Sequence, residues 1–168
     1  MNANTKLTIG QMVALGAALL VLLCFFFPWI ELDLFLASAN LSGFQLATGS
    51  GPAGSNFAGV PTLLIVPLGM LGVLGVVVAC FLGQSAAGQF KSIASMLFIV
   101  GGGISSLVIL YQYFNLNQQF NESVAGMMAQ KVFSYSFGAH ASLFGSVIVT
   151  GGGLIDLVYG NKLGSVRP

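Results

Sequence analysis

Apolar residues fill four long windows of the chain, at 9–30, 61–83, 92–114 and 138–159. Each is long enough to supply the roughly 20 helical residues that cross a hydrocarbon core. None contains Lys or Arg, and Asp156 is the only acid inside one. The runs are continuous instead of alternating, which excludes a β-barrel. The pattern predicts an all-α membrane protein: a four-transmembrane-helix bundle in one domain, 1–168, with outer loops at 31–60 and 115–137.

Past Trp29 the period changes. Ile30, Leu32, Leu34 and Leu36 alternate with Glu31, Asp33 and Phe35, and a period of two predicts a strand with one apolar face. A turn at 37–40 and a second strand at 41–47, which carries Phe44, complete a small extracytoplasmic β-hairpin on the outer end of the bundle. The Gly- and Ser-rich segment 48–56 then returns to the second helix. In the third loop Leu116, Phe120, Val124, Met127 and Met128 recur at helical spacing, with Asn117, Gln118, Asn121 and Glu122 between them. This amphipathic segment either extends the third helix or lies on the membrane surface. It reads as a cover for the hairpin or, through Met127 and Met128, as a patch for a partner.

Lipid gives helices no hydrophobic reason to associate, so packing rests on small residues and interhelical hydrogen bonds. Projected at about 100° per residue, the fourth helix separates into two sides. Gly138, Ser142, Gly145, Ser146, Thr150, Gly153, Asp156 and Gly160 share one, and Phe144, Val147, Ile148, Leu154, Ile155 and Val158 the other. The small side is expected to face the bundle. The second helix aligns Thr62, Gly69, Gly72, Ala79, Cys80 and Gly83, with Pro67 turned away. The third aligns Ser92, Ser95, Gly102 and Ser106, and the first Gly10, Ala14, Ala17 and Cys24. Four narrow faces imply a tight bundle without a broad aqueous pore.

Composition agrees with a lipid environment. The chain is 56% hydrophobic and 5% charged, with a mean hydropathy of +0.93, too few charges to cover a soluble surface. A net charge of +1 gives no field for nucleic acid. Lys6, Lys91, Lys162 and Arg167 fall at the two ends and the second loop, against Lys131 alone in an odd-numbered loop. By the positive-inside rule both termini are cytoplasmic. The first window lacks the basic cluster of a secretory signal and is expected to be retained. Cys24 and Cys80 lie within helices, and no Cys-x-x-Cys occurs, which argues against thiol-oxidising chemistry.

The residues that could carry chemistry are few. The triplets at 101–103 and 151–153 sit mid-span, with no Lys-Ser or Lys-Thr beside them, so close helix crossing explains them better than a phosphate loop. One histidine cannot form a bis-histidine haem, and no cluster of His, Cys, Asp or Glu forms a metal site. No catalytic residues are expected. His140, flanked by Gly138, Ala139, Ala141 and Ser142, is the candidate axial ligand for a haem or chlorophyll; the competing reading is an interfacial histidine bonded to water or headgroups. Intramembrane acids often mark ion paths. Asp156, however, lies one turn from Asn161 and Lys162, and a contact with another helix is the preferred reading. Its candidate donors are Lys6, Gln11, Ser92 and Ser95.

The first helix ends in Phe-Pro-Trp-Ile and the first outer loop contains Ser-Gly-Phe-Gln-Leu-Ala-Thr-Gly, at 42–49. In these motifs the chain resembles a scattered group of uncharacterised bacterial four-span membrane proteins. The resemblance implies a topology, in the bacterial cytoplasmic membrane, and no chemistry. The layout is distantly similar to that of claudin-like proteins, but the paired loop cysteines and the Trp-Gly-Leu-Trp motif of claudins are missing. The expected function is a non-enzymatic structural or accessory membrane subunit without a cofactor. Its partners are the lipid bilayer and either further copies of itself or other membrane-protein subunits. The residues expected to make contacts are Trp29 as interface anchor, Leu34, Phe44, Phe120, Met127, Met128, Ser142, Gly153 and Asp156. The alternatives are a small channel or transporter, or a pigment- or haem-associated subunit of an energy-converting complex.

Overall fold

A computed structural model describes residues 8–34, 37–51, 54, 56, 58–82, 87–123 and 133–163. Among these are five helices and three strands: α1 (Ile9–Cys24), β1 (Pro28–Leu34), β2 (Ala37–Ser42), α2 (Gly43–Thr48), α3 (Ile65–Leu82), α4 (Ala87–Ser123), β3 (Phe133–Tyr135) and α5 (Phe137–Leu163). A 3-10 turn, Pro61–Leu64, leads into α3. Three stretches, Pro61–Ala79, Ile93–Leu116 and Phe137–Tyr159, are long and apolar enough to cross a membrane, and α1 is a shorter apolar helix. The protein is thus a mostly helical integral membrane protein that carries a small sheet.

Helix α1 stops well before the expected position 30. Thr8 caps its start, accepting the Gln11 N–H at 3.1 Å while Gln11 Oε1 accepts the Thr8 N–H at 3.2 Å. At the other end Pro28 has no N–H to continue the ladder, and Pro28 and Trp29 already belong to β1. The third helix is longer than its window. Residues 115–123 continue α4, so the first half of the amphipathic segment extends that helix, one of the two expected placements. Val124, Met127 and Met128 lie outside the described residues.

Helix α5 packs along α1 and α4, while α3 closes the ring against α4 and α1. Each glycine triplet serves two neighbours at once. A Cβ on Gly102 would stand 2.6 Å from Thr150 Oγ1 and 2.8 Å from the Ser146 carbonyl of α5, whereas one on Gly101 would meet Gly69 and Val73 of α3. Gly152 lies against the Gly10 carbonyl of α1 and Gly153 against the Ser95 carbonyl of α4, each at 2.8 Å from an added Cβ. The remaining members, Gly103 and Gly151, look onto open space. The triplets are therefore crossing points where backbones touch, the device that replaces hydrophobic association in lipid.

On α5 the expected sides hold. Ser142, Ser146 and Asp156 are buried, while Phe144, Val147, Ile148, Leu154, Ile155 and Val158 are exposed. On α3 they do not. Leu63 of the leading turn and Val66, Met70, Val73 and Val77 face the bundle, and Gly72 and Ala79 are exposed. The one close crossing of α3, at Gly69–Gly101, needs a single small residue. The wider remainder of the gap is filled by bulk, as dense packing requires.

The predicted hairpin is present but shorter and better supported. Strands β1 and β2 pair antiparallel from Pro28↔Ser42 to Leu34↔Ala37, so residues 37–40 are strand, not turn. Residues 43–47, expected in the second strand, lie instead in α2. Ser42 accepts the Gln45 N–H at 3.2 Å and Gln45 Oε1 accepts the Ser42 N–H at 2.9 Å, a reciprocal box that starts a helix. Gly49, at φ 75°, ends it in the left-handed conformation that glycine adopts without strain. A third strand, β3, adds to the free side of β1 through Ile30↔Tyr135 and Leu32↔Phe133. The order is β2-β1-β3. Ile30 and Leu41 are buried towards the bundle and Glu31, Ser38 and Asn40 point away.

Candidate contact surface at the outer end

Trp29 organises this end of the molecule. Its sequence role was an exposed anchor at the membrane interface; in the structure it is 4% exposed. Its indole N–H donates to the Cys24 carbonyl at 3.0 Å, which also accepts the Phe27 N–H at 3.2 Å, so this carbonyl at the end of α1 has two donors. The ring packs edge-on against Phe25 at 5.6 Å. Two glycines make room for it: a Cβ on Gly43 would be 2.7 Å, and one on Gly138 2.8 Å, from the indole. The residue thus locks α1, α2 and α5 to the sheet.

Beside it, Tyr135 of β3 stacks on Tyr113 of α4, with centroids 3.7 Å apart, and donates its hydroxyl to the Tyr113 carbonyl at 2.6 Å. Burial, then the adjacent Tyr113, pushes the Tyr135 phenol above its ordinary range. Ser136 joins the sheet to α5: its N–H donates to the Trp29 carbonyl at 2.8 Å and its hydroxyl to Glu31 at 2.8 Å. Gln112, nearly buried, donates to Thr62 at 2.9 Å and ties α4 to the start of α3. Its Oε1 has no partner, and the crevice next to it, beneath Trp29 and Tyr135, leaves a gap no larger than a water. That space does not admit a substrate or a pigment.

Phe44, on α2, is 44% exposed and stacks on the exposed Phe26 at 5.7 Å. These two rings give the outer end its aromatic flank. Leu34 closes β1, paired through its backbone with Ala37; its side chain, like that of Phe120 in α4, lies outside the described residues. His140 is exposed, with Nδ1 3.0 Å from the Ser136 carbonyl and its ring edge-on to Tyr113 at 6.2 Å. The contact holds the first turn of α5 against α4. Among the described residues no three His, Cys, Asp or Glu side chains gather as a metal site.

Ser142 is buried near the start of α5, Gly153 lies further along at the crossing with α4, and Asp156 lies about one turn beyond Gly153. Of the four candidate donors for Asp156, Ser95 supplies the bond, from Oγ to Oδ2 at 3.0 Å. With Gly10 on its other side, the acid joins α1, α4 and α5. Tyr113, Tyr135, Gln112 and Gly43 were not singled out by the sequence. The only signal that could have found Gly43 is its place inside a Ser-x-x-Gln pair, directly after the serine. Comparison of the chain with protein-family profiles, with curated proteins and with solved structures finds no match.

Proposed function

We propose that the chain is a non-enzymatic structural subunit of the bacterial cytoplasmic membrane that works as an assembly, either of its own copies or within a larger membrane complex. It crosses the bilayer four times, with α1 as the short first span, both termini in the cytoplasm and the sheet outside. The location of Lys6, Lys91, Lys162 and Arg167 supports this orientation. The likeness to bacterial four-span proteins carrying Phe-Pro-Trp-Ile and Ser-Gly-Phe-Gln-Leu-Ala-Thr-Gly belongs to the same proposal. In this chain the two motifs are the end of α1 with its Trp29 cap and the complete, doubly capped α2.

One observation carries the reading. Gly10, Gly69, Gly101, Gly102, Gly152 and Gly153 each sit where a neighbouring helix comes close, whereas Gly72 and Gly75 of α3, like Gly16, Gly103 and Gly151, have nothing within 4 Å. A glycine inside a helix costs about 1 kcal/mol relative to alanine, and close approach of another helix is what offsets it. Gly75 and the exposed Ala79 have the four-residue spacing of a membrane helix-pairing face. The polar side chains Ser95, Asp156, Thr62 and Gln112 bond to one another across helices, which favours a packed support over a conduit.

Extraction from native membranes into polymer-bounded nanodiscs, followed by mass measurement, tests this. Particles should hold at least two 17.4 kDa chains and show no visible absorption band. Single chains, or a stoichiometric chromophore, would overturn the proposal.

A further inference from the structure

The sheet has two edges of different character. On the β3 side the edge is three residues long and held down by the Tyr135–Tyr113 stack. On the other side β2 runs six residues, Ala37–Ser42. It pairs only with β1, and among the described residues no backbone hydrogen bond covers its outer side. Natural proteins guard such an edge with Lys, Pro or inward charges, and β2 (Ala-Ser-Ala-Asn-Leu-Ser) carries none of them.

The orientation of this edge limits what can pair with it. Because Ile30 and Leu41 face the bundle while Glu31, Ser38 and Asn40 face away, the sheet lies across the bundle end. Its perpendicular therefore runs along the bundle axis, which is the membrane normal. Antiparallel strands are related by two-fold axes perpendicular to their sheet. Two copies inserted alike in one bilayer form a closed dimer only about an axis along the same normal. The two requirements coincide. The uncharged strand also meets its own copy without opposing like charges, which cross-strand pairing penalises.

We infer that β2 pairs antiparallel with β2 of a second copy, forming a continuous six-stranded sheet over a dimer. This rests on the assembly reading above and names its partner. The same flank of the molecule supports it. Since β3 stands over α4, the sheet order sets β2 on the opposite side. Helix α2 continues β2 onto the outer end of α3, where the Val60 N–H donates to the Leu46 carbonyl at 2.8 Å. Below lie the exposed Phe26–Phe44 stack and the helix that presents Gly72 and Gly75 outward.

The test uses Asn40, whose side chain is exposed, so that folding is spared. Asn40→Lys and Asn40→Glu should each weaken dimerisation roughly fivefold, since like charges approach across the two-fold. Co-expression of the two variants should restore a mixed dimer. In a chain whose Cys24 and Cys80 are replaced by Ala, a cysteine at Asn40 should form a disulfide-linked dimer and one at Ser134 should not. A wild-type oligomer indifferent to the charges and without the crosslink would sink the edge pairing while leaving the assembly reading intact. A monomeric wild type would remove both. A different protein held through β2, with no self-crosslink, would also overturn the inference.

Discussion

Gly102→Leu is expected to destroy the bundle, while Gly103→Ala, one residue further on, should be tolerated. The Cβ of any residue at 102 would enter within 2.6 Å of Thr150 Oγ1 and 2.8 Å of the Thr150 N and the Ser146 carbonyl. Backbone atoms cannot rotate away, so α4 and α5 must separate. Separation would draw apart Gly153 and the Ser95 carbonyl and break the Ser95–Asp156 bond. Overpacking usually costs about 1–3 kcal/mol, and backbone obstruction on both sides puts this case at the upper end or beyond. At Gly103 nothing lies within 4 Å, and alanine gains up to about 1 kcal/mol of helix propensity. Thermal unfolding in mild detergent checks the pair. Equal midpoints for the two variants would show that the triplet is not a crossing point.

Trp29→Ala is expected to have the second large effect, at the outer end of the molecule, away from the mid-span crossing. Removing a buried indole costs about 3–5 kcal/mol, and here it also removes one of the two N–H groups that bond the Cys24 carbonyl, leaving only that of Phe27. Trp29→Phe keeps most of the bulk and loses only the N–H, and since the Phe27 N–H still bonds the Cys24 carbonyl it should cost about 0.5–1.5 kcal/mol, the net worth of one hydrogen bond. Glu31, Ser136 and Tyr135 hang on the same strand pair. Limited proteolysis should therefore cut the outer segments of Trp29→Ala while the helices remain protected. An exposed anchor in lipid headgroups would give a different pattern, with Trp29→Phe and Trp29→Ala alike and both mild.

The contrast between these two sites matches what the sequence could tell. The inward side of α5 was legible because small and bulky residues alternate there at helical period over twenty positions. Helix α3 is apolar on every side, so its period says nothing about which face is inward, and Gly72 and Ala79, aligned with Gly69 on the expected bundle face, are exposed. The end of α1 was blurred by Phe25, Phe26 and Phe27, which continue the apolar run without continuing the helix. In the outer loop the alternation from Ile30 to Leu34 identified β1. Helix α2 was hidden because Leu41, Phe44 and Leu46 dominate the eye while the short Ser42–Gln45 capping pair decides the conformation. Strand β3 is three residues long and exists through its pairing with Ile30 and Leu32, a contact a hundred residues away in the chain that no local pattern encodes. Asp156 illustrates the intermediate case. The wheel gave its direction and four possible donors, and only the register of α4 against α5 selects Ser95.

We propose a four-span bundle that carries its sheet on the side opposite both termini. Cysteine labelling in intact cells tests it most directly, with Cys24 and Cys80 replaced by Ala. A membrane-impermeant maleimide should modify cysteines placed at Ser55 and at Ser134 of β3 in intact cells, and one at Ser85 only after the membrane is permeabilised. Labelling of Ser85 in intact cells, or protection of Ser134 until permeabilisation, would contradict the account.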